Sequence, residues 1–238
     1  MIMKENKSNI ITACILALGL LFGGLAIRSG ITAFKDRDRQ VTVKGLAERE
    51  VKADKVTWPL TYKEIGNDPT EMYNLLEHKN KIIVEWLKSG GVKEDEISVN
   101  PPRIMDRQAD NYGNEQMRYR YKAISVITVT SKSVDAVRAL MKNQSVLMKQ
   151  GVPIVSEEYG NDNVSYEFTG LNEIKPAMVE EATKNARTTA EKFAADSGSK
   201  LGGIFHATQG QFSFEDRDAN TPYIKRVRVV NTIDYYLD

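Results

Sequence analysis

Cysteine, histidine and any excess of one charge are what this chain has least of. Its 238 residues contain one cysteine, Cys14, and two histidines, His78 and His206. A single thiol excludes a disulfide framework and a cysteine-based metal site, and permits an extracytoplasmic address without showing one. His78 has no second histidine, cysteine or carboxylate cluster at ligand spacing, so it reads as solvated or packed rather than metal-bound. Lys and Arg number 33 against 32 Asp and Glu; six of the former and three of the latter precede residue 40, leaving 27 and 29 for the rest of the chain. That near-balance argues against a nucleic-acid binder, whose long-range field needs a basic excess. Also missing are G-x-S-x-G, a phosphate-binding loop, a dinucleotide fingerprint and H-E-x-x-H. No catalytic residues, cofactor or metal ligands are assigned, and the expectation is a protein that is not an enzyme.

What the chain does have begins with an uncharged apolar run, Ile10 to Ile27. As a helix rising ~1.5 Å per residue it extends about 27 Å, just short of the ~30 Å hydrocarbon core of a bilayer. It reads as a transmembrane anchor with residues 1–9 on the cytoplasmic side, or alternatively as a secretory signal, since Lys4 and Lys7 make a short basic lead but no clean small-x-small cleavage site follows. Arg28, Lys35, Arg37 and Arg39 flank the other end, so flanking charge does not choose a side. Gly19 and Gly23 fall on one helix face, where two helices could pair closely; the plainer reading is the ordinary glycine content of membrane helices. Residues 28–40 form a charged linker.

From Val41 the patterns are those of a folded domain extending to residue 238. Val41 to Glu48 is strand-like, and Val56, Trp58, Leu60 and Tyr62 alternate as on a half-buried strand. Pro59 in that strand predicts an edge or a bulge. Asp68-Pro69-Thr70-Glu71 predicts a helix start, Met72, Leu75, Leu76, Ile83, Trp86 and Leu87 its buried stripe, and Gly90-Gly91 its stop. A short strand, Ile97 to Ile104, is broken by Pro101-Pro102, and a polar loop from Asp106 to Gln116 leads to a strand over Met117 to Thr130. Arg118, Arg120 and Lys122 share one face of that strand and Tyr119 and Tyr121 the other, which separates charges from aromatics and argues against an RNA-binding sheet. A second helix runs from Val134 to Leu147, closed by Gly151. Val152–Tyr159 and Val164–Phe168 read as a hairpin around Gly160. The third helix, Asn172 to Ser197, carries Val179, Ala182, Ala186, Ala190 and Phe193 on one face. Leu201–Phe214 and Tyr223–Leu237 are strands.

Helix, glycine stop, strand, polar loop and long strand occur twice, from Asp68 to Thr130 and from Asn172 to Tyr236. The expected fold is α+β: antiparallel sheets with three helices packed on them, in two duplicated-looking helix-strand-strand units that read as one domain or as two intertwined subdomains, preceded by the transmembrane helix.

Three patterns carry a family resemblance: Val41-x-Val-x-Gly45-x-Ala-Glu-x-x-Val51-x-Ala-Asp54; Gly91-Val-x-x-x-x-Ile97; and Ala182-x-x-x-Ala186-x-x-x-Ala190-x-x-Phe193-Ala194 followed by Gly198-x-x-Leu201-Gly202. From Val41 onward the chain resembles the SIMPL-domain family, which includes bacterial periplasmic immunogenic and oxidative-stress-related proteins. The resemblance implies an α+β fold, export from the cytoplasm and self-assembly into large homo-oligomers, and it supplies no catalytic residues. The expected protein is therefore anchored in the bacterial inner membrane with its domain outside the cytoplasm, or secreted to the periplasm after cleavage. Its expected role is structural or stress-protective in the envelope. The alternative is a module that binds a peptide or small ligand on its sheet or inter-subdomain cleft, with Arg103, Arg107, Arg118 and Arg120 as contacts.

Overall fold

Strand β2 (Lys55–Gly66) is the clearest case of local pattern becoming structure. Val56, Trp58, Leu60 and Tyr62 are all buried, because side chains of a strand alternate between faces and only one face meets the core. The chain is seen in a computed structural model that describes residues 15–30, 39–109, 118–155 and 163–238. The expected stretch 1–9, the start of the apolar run at 10–14, the linker over 31–38, the loop over 110–117 and the turn around Gly160 lie outside the described residues.

The chain divides into two compact units, each built from separated segments: Met1–Glu48, Lys175–Ser213 and Arg228–Asp238 in the first, Arg49–Ile174 and Phe214–Val227 in the second. In the second unit β2 pairs antiparallel with β5 (Tyr121–Ser131), and β5 pairs on its other side with β3 (Ile97–Val99) and β4 (Arg103–Asp106). Pro59 stands opposite Thr128 of β5. Among the described residues, the other edge of β2 is used at Lys55–Thr57, by β6 (Ser165–Glu167), and at Thr61, whose carbonyl accepts the Val155 N–H at 2.8 Å. The proline falls between these two stretches, where no ladder bond is required. Much of the expected hairpin of Val152–Tyr159 with Val164–Phe168, residues 156–162, lies outside the described residues; among those described, β6 pairs with β2, about 110 positions earlier.

Helix α2 (Pro69–Ser89) covers this sheet. Asp68 caps it, its carboxylate accepting the Thr70 and Glu71 N–H groups at 2.7 and 3.1 Å, with Pro69 in the first turn. Met72, Leu76, Ile83 and Leu87 are buried, whereas Leu75 is exposed. Gly91, at φ 90°, turns the chain out of the helix. The single helix expected over Val134–Leu147 is two, α3 (Val134–Lys142) and α4 (Ser145–Lys149). The last turn of α3 tightens, the Asn143 N–H reaching the Leu140 carbonyl at 2.9 Å, and the chain restarts so that Leu147 and Val152 reach the core.

In the first unit β9 (Ile224–Leu237) is central, between β1 (Gln40–Lys52) and β7 (Leu201–Gln209), while β8 (Ser213–Asp216) also pairs with β9. In the five-stranded sheet β5 likewise lies between β2 and the short strands β3 and β4. Helix α5 (Leu171–Asp196) packs Ala182, Ala186 and Ala190, all buried, toward Val41, Val43, Ile233 and Tyr235. Its buried stripe also takes Met178 and Ala194, not the expected Val179 and Phe193. Alanines at intervals of four let β1 come so close that a Cβ on Gly45 would lie 1.8 Å from the Ala182 carbonyl oxygen. Asn185 Nδ2 donates to the Leu46 carbonyl at 2.8 Å, fixing the same contact.

Helix α1 covers 15–30, every residue of it exposed. The expected transmembrane helix over Ile10–Ile27 is not supported: among the described residues no helix is long and apolar enough to cross a membrane. With α1, the described residues form five α-helices rather than the four expected.

Candidate binding groove and exposed strand edge

A groove is built by the face of α2 that the core leaves free. Tyr73, Glu77, Lys81, Val84 and Lys88 follow one another three or four positions apart, so they line up along one side of the helix. Opposite them runs Val99–Pro102, the bridge between β3 and β4. It is held to the sheet by the Asn100 N–H, which donates to the Val126 carbonyl at 3.1 Å. Between the two lies a groove of about 670 Å³ with Leu76 and Asn80 in its lining. That volume falls within the range of small-ligand sites.

A buried polar network sets the floor. Tyr62 Oη lies 2.9 Å from the Leu76 carbonyl and 2.8 Å from Asn80 Oδ1, and Ser125 Oγ lies 3.1 Å from the same Oδ1. Burial pushes the Tyr62 phenol up to about 12, outweighing the opposing hydrogen bond from Ser125, with the Glu64 carboxylate adding to the rise. The phenol therefore remains a neutral hydrogen-bonding group. Asn80, whose Oδ1 is held by this network, is among the residues that line the groove. Along the rim Lys81 pairs with Glu77 at 3.0 Å and Lys88 with Glu94 at 3.2 Å. Glu85 is exposed and has no ion-pair partner among the described residues.

The four arginines considered as ligand contacts lie elsewhere. Arg120 is engaged by Asp106, its Nη2 2.8 Å from the carboxylate, and this hydrogen bonding holds the Asp106 carboxyl below the usual range. Arg118 stacks over Tyr119 at 5.5 Å, and the Arg107 N–H donates to the Arg120 carbonyl. These three gather where β4 and β5 begin to pair; Arg103 stands at the other end of β4, opposite Ile124. None of the four lines the groove. Gly19 and Gly23 are both on α1, with open space where a Cβ would stand. His78 is exposed on α2, and His206 Nε2 lies 3.0 Å from Thr208 Oγ1. Among the described residues no group of three or more His, Cys, Asp or Glu is arranged to hold a metal ion. Tyr73, Asn80, Val84 and Glu85 were not anticipated. Their signal was weak: an aromatic and a valine on the polar side of α2, and a proline pair with no turn to account for it.

The second feature is β7. It ends its sheet, pairing only with β9 among the described residues, and from Gly203 to Gln209 every residue is exposed. Ile204 and Phe205 are 55% and 53% exposed. Opposed residues share a face, so Ile204, paired with Tyr235, lies on the helix-covered face, whereas His206, paired with Asp234, lies on the open one. Phe205 meets Tyr236 edge to face at 5.4 Å. Two register shifts twist the strand before His206; beyond it the ladder is regular.

No curated protein matches this sequence. A family model described as SIMPL, protein of unknown function (DUF541), matches residues 41–229, which include the five-stranded sheet, the groove, β7 and the start of β9. With that match covering more than three-quarters of its length, the chain belongs to the SIMPL family.

Proposed function

We propose that this protein is a non-catalytic, extracytoplasmic component of the cell envelope that assembles with copies of itself through β7, in a structural or stress-protective role. The observation that carries the reading is the exposed edge strand. Proteins usually blunt such an edge with lysine, proline or a covering element. Residues 203–209 contain no lysine or proline and expose two large apolar side chains. Pairing this edge with another copy would satisfy its outward N–H and C=O groups and take Ile204 and Phe205 out of water. Family membership supports the extracytoplasmic, non-catalytic part of the reading. The apolar N-terminal run acts as the export segment, a role that requires no full bilayer crossing in the mature protein.

Light scattering on size-separated protein, with particle imaging, tests the assembly. The native chain is expected as a defined oligomer and the Ile204→Lys, Phe205→Lys double variant as a smaller species with an unchanged circular dichroism spectrum. Replacing Gly19 and Gly23 with leucine is expected to leave the oligomer intact. A native chain that stays monomeric at high concentration, or a double-lysine variant that assembles as before, overturns the proposal.

A further inference from the structure

We propose that the groove between α2 and Val99–Pro102 binds an extended peptide of about six residues, apolar on the side that enters and carrying one basic side chain.

Dimensions select an extended occupant. From Tyr73 to Lys88 the α2 wall spans fifteen positions, about 22 Å at ~1.5 Å each. A helix ~10 Å across would need about 1,700 Å³ over that length, far more than the 670 Å³ present. An extended chain at ~3.3 Å per residue crosses the same distance in six or seven residues, which leaves each about 100 Å³, the scale of one residue with one side open to solvent.

The distribution of polar groups selects a peptide over an alkyl chain. An acyl amphiphile is polar at one end only. Here polar groups recur along the whole wall, with Glu77, Asn80 and Lys81, Glu85, and Lys88 about one helical turn apart. That spacing of ~5.4 Å is near the two-residue repeat of an extended chain. Between them Leu76, Val84 and Val99 offer apolar contact for alternate side chains. Asn80, which lines the groove, is held in advance by the contacts of its oxygen with Tyr62 and Ser125. Pro101 and Pro102 have no N–H, so the opposite wall cannot extend the β3–β4 edge as a ladder. Recognition therefore rests on side chains of α2 rather than on strand addition.

Charge names the basic residue. Lys81 and Lys88 are neutralised by Glu77 and Glu94, whereas Glu85, one turn short of the Lys88 end of the wall, has no ion-pair partner among the described residues. A lysine or arginine on the peptide would complete it.

The test is fluorescence polarisation with a positional library of labelled, acetylated and amidated hexapeptides, against the protein as purified from cells and exchanged out of detergent. Saturable binding is expected, strongest for members with alternating apolar residues and one lysine or arginine. Glu85→Lys should weaken the basic members about tenfold and transfer the preference to acidic ones, an inversion that a merely structural role would not produce. Tyr73→Ala, at an exposed position, should weaken all members while leaving the circular dichroism spectrum unchanged. The proposal is overturned if no library subset binds, if Glu85→Lys leaves the charge preference as it was, or if decanoate alone occupies the groove.

Discussion

Replacing Gly45 with alanine is the sharpest test of how β1 and α5 are held together. The added Cβ would lie 1.8 Å from the Ala182 carbonyl oxygen, 2.5 Å from the Ala186 nitrogen and 2.8 Å from the Ala186 Cβ. The first two are backbone atoms of a helix, which cannot turn aside as a side-chain tip can, and Ala182 and Ala186 are wholly buried. Relief requires β1 to move away from α5 by more than an ångström, loosening Val41, Val43 and Ala190 in the same cluster. Overpacking of a core costs about 1–3 kcal/mol, and a clash with backbone belongs at the upper end, near 3 kcal/mol. For a chain of this size each kcal/mol shifts the melting temperature by about 2–4 °C, so a fall of roughly 6–12 °C is expected. Thermal unfolding followed by circular dichroism measures it, with Gly203→Ala as the control, since nothing lies within 4 Å of a Cβ there. If Gly45→Ala melts within a degree of the native chain while the control behaves normally, the close approach of β1 to α5 is refuted.

Two further substitutions probe local devices. Asp68→Ala removes the acceptor for the Thr70 and Glu71 N–H groups and should cost about 1 kcal/mol by urea titration; an unchanged midpoint would show that water caps the helix equally well. Glu96 accepts the Lys93 N–H at 2.9 Å and the Ser131 hydroxyl at 2.7 Å, and these bonds, the backbone one foremost, lower its pKa. A depressed carboxyl contributes stability that is present above its unfolded pKa, ~4.3, and is lost as pH falls through the lower folded value. Glu96→Gln should therefore reduce stability at neutral pH and flatten the loss below about pH 4.3. Parallel acid-unfolding curves for the two proteins would sink that assignment.

How far the sequence could be read depended on whether the evidence was local. Alternation in Val56–Tyr62 revealed a buried strand face because a period of two needs only neighbours, and Asp68-Pro69 revealed a helix start because a cap is satisfied within three residues. The stripe on α5 was read one position off, as Val179 and Phe193 instead of Met178 and Ala194. Alanine is nearly neutral in a hydrophobic pattern, so the larger neighbours drew the face toward themselves. The groove was not readable at all. Tyr73 and Val84 look like scattered apolar residues on a polar face until Val99–Pro102 is brought alongside, and Asn80 is an ordinary helical asparagine until Tyr62 and Ser125, 18 and 45 positions away, fix its amide. Nor does the sequence show that Arg120 is engaged by Asp106, that Arg118 lies over Tyr119, or that none of the four arginines lines the groove.

By itself the sequence determined the α+β class, the stripe of small residues on α5 and the family. Each is written in periodicity, caps and small residues, which act over one or two turns of chain. Only the tertiary structure decided that β6 pairs with β2, that β7 is left as an open edge, and that one face of α2 becomes the wall of a groove. Those outcomes depend on which distant segments compete for the same backbone edges and apolar faces, and that competition is resolved only when the whole chain packs.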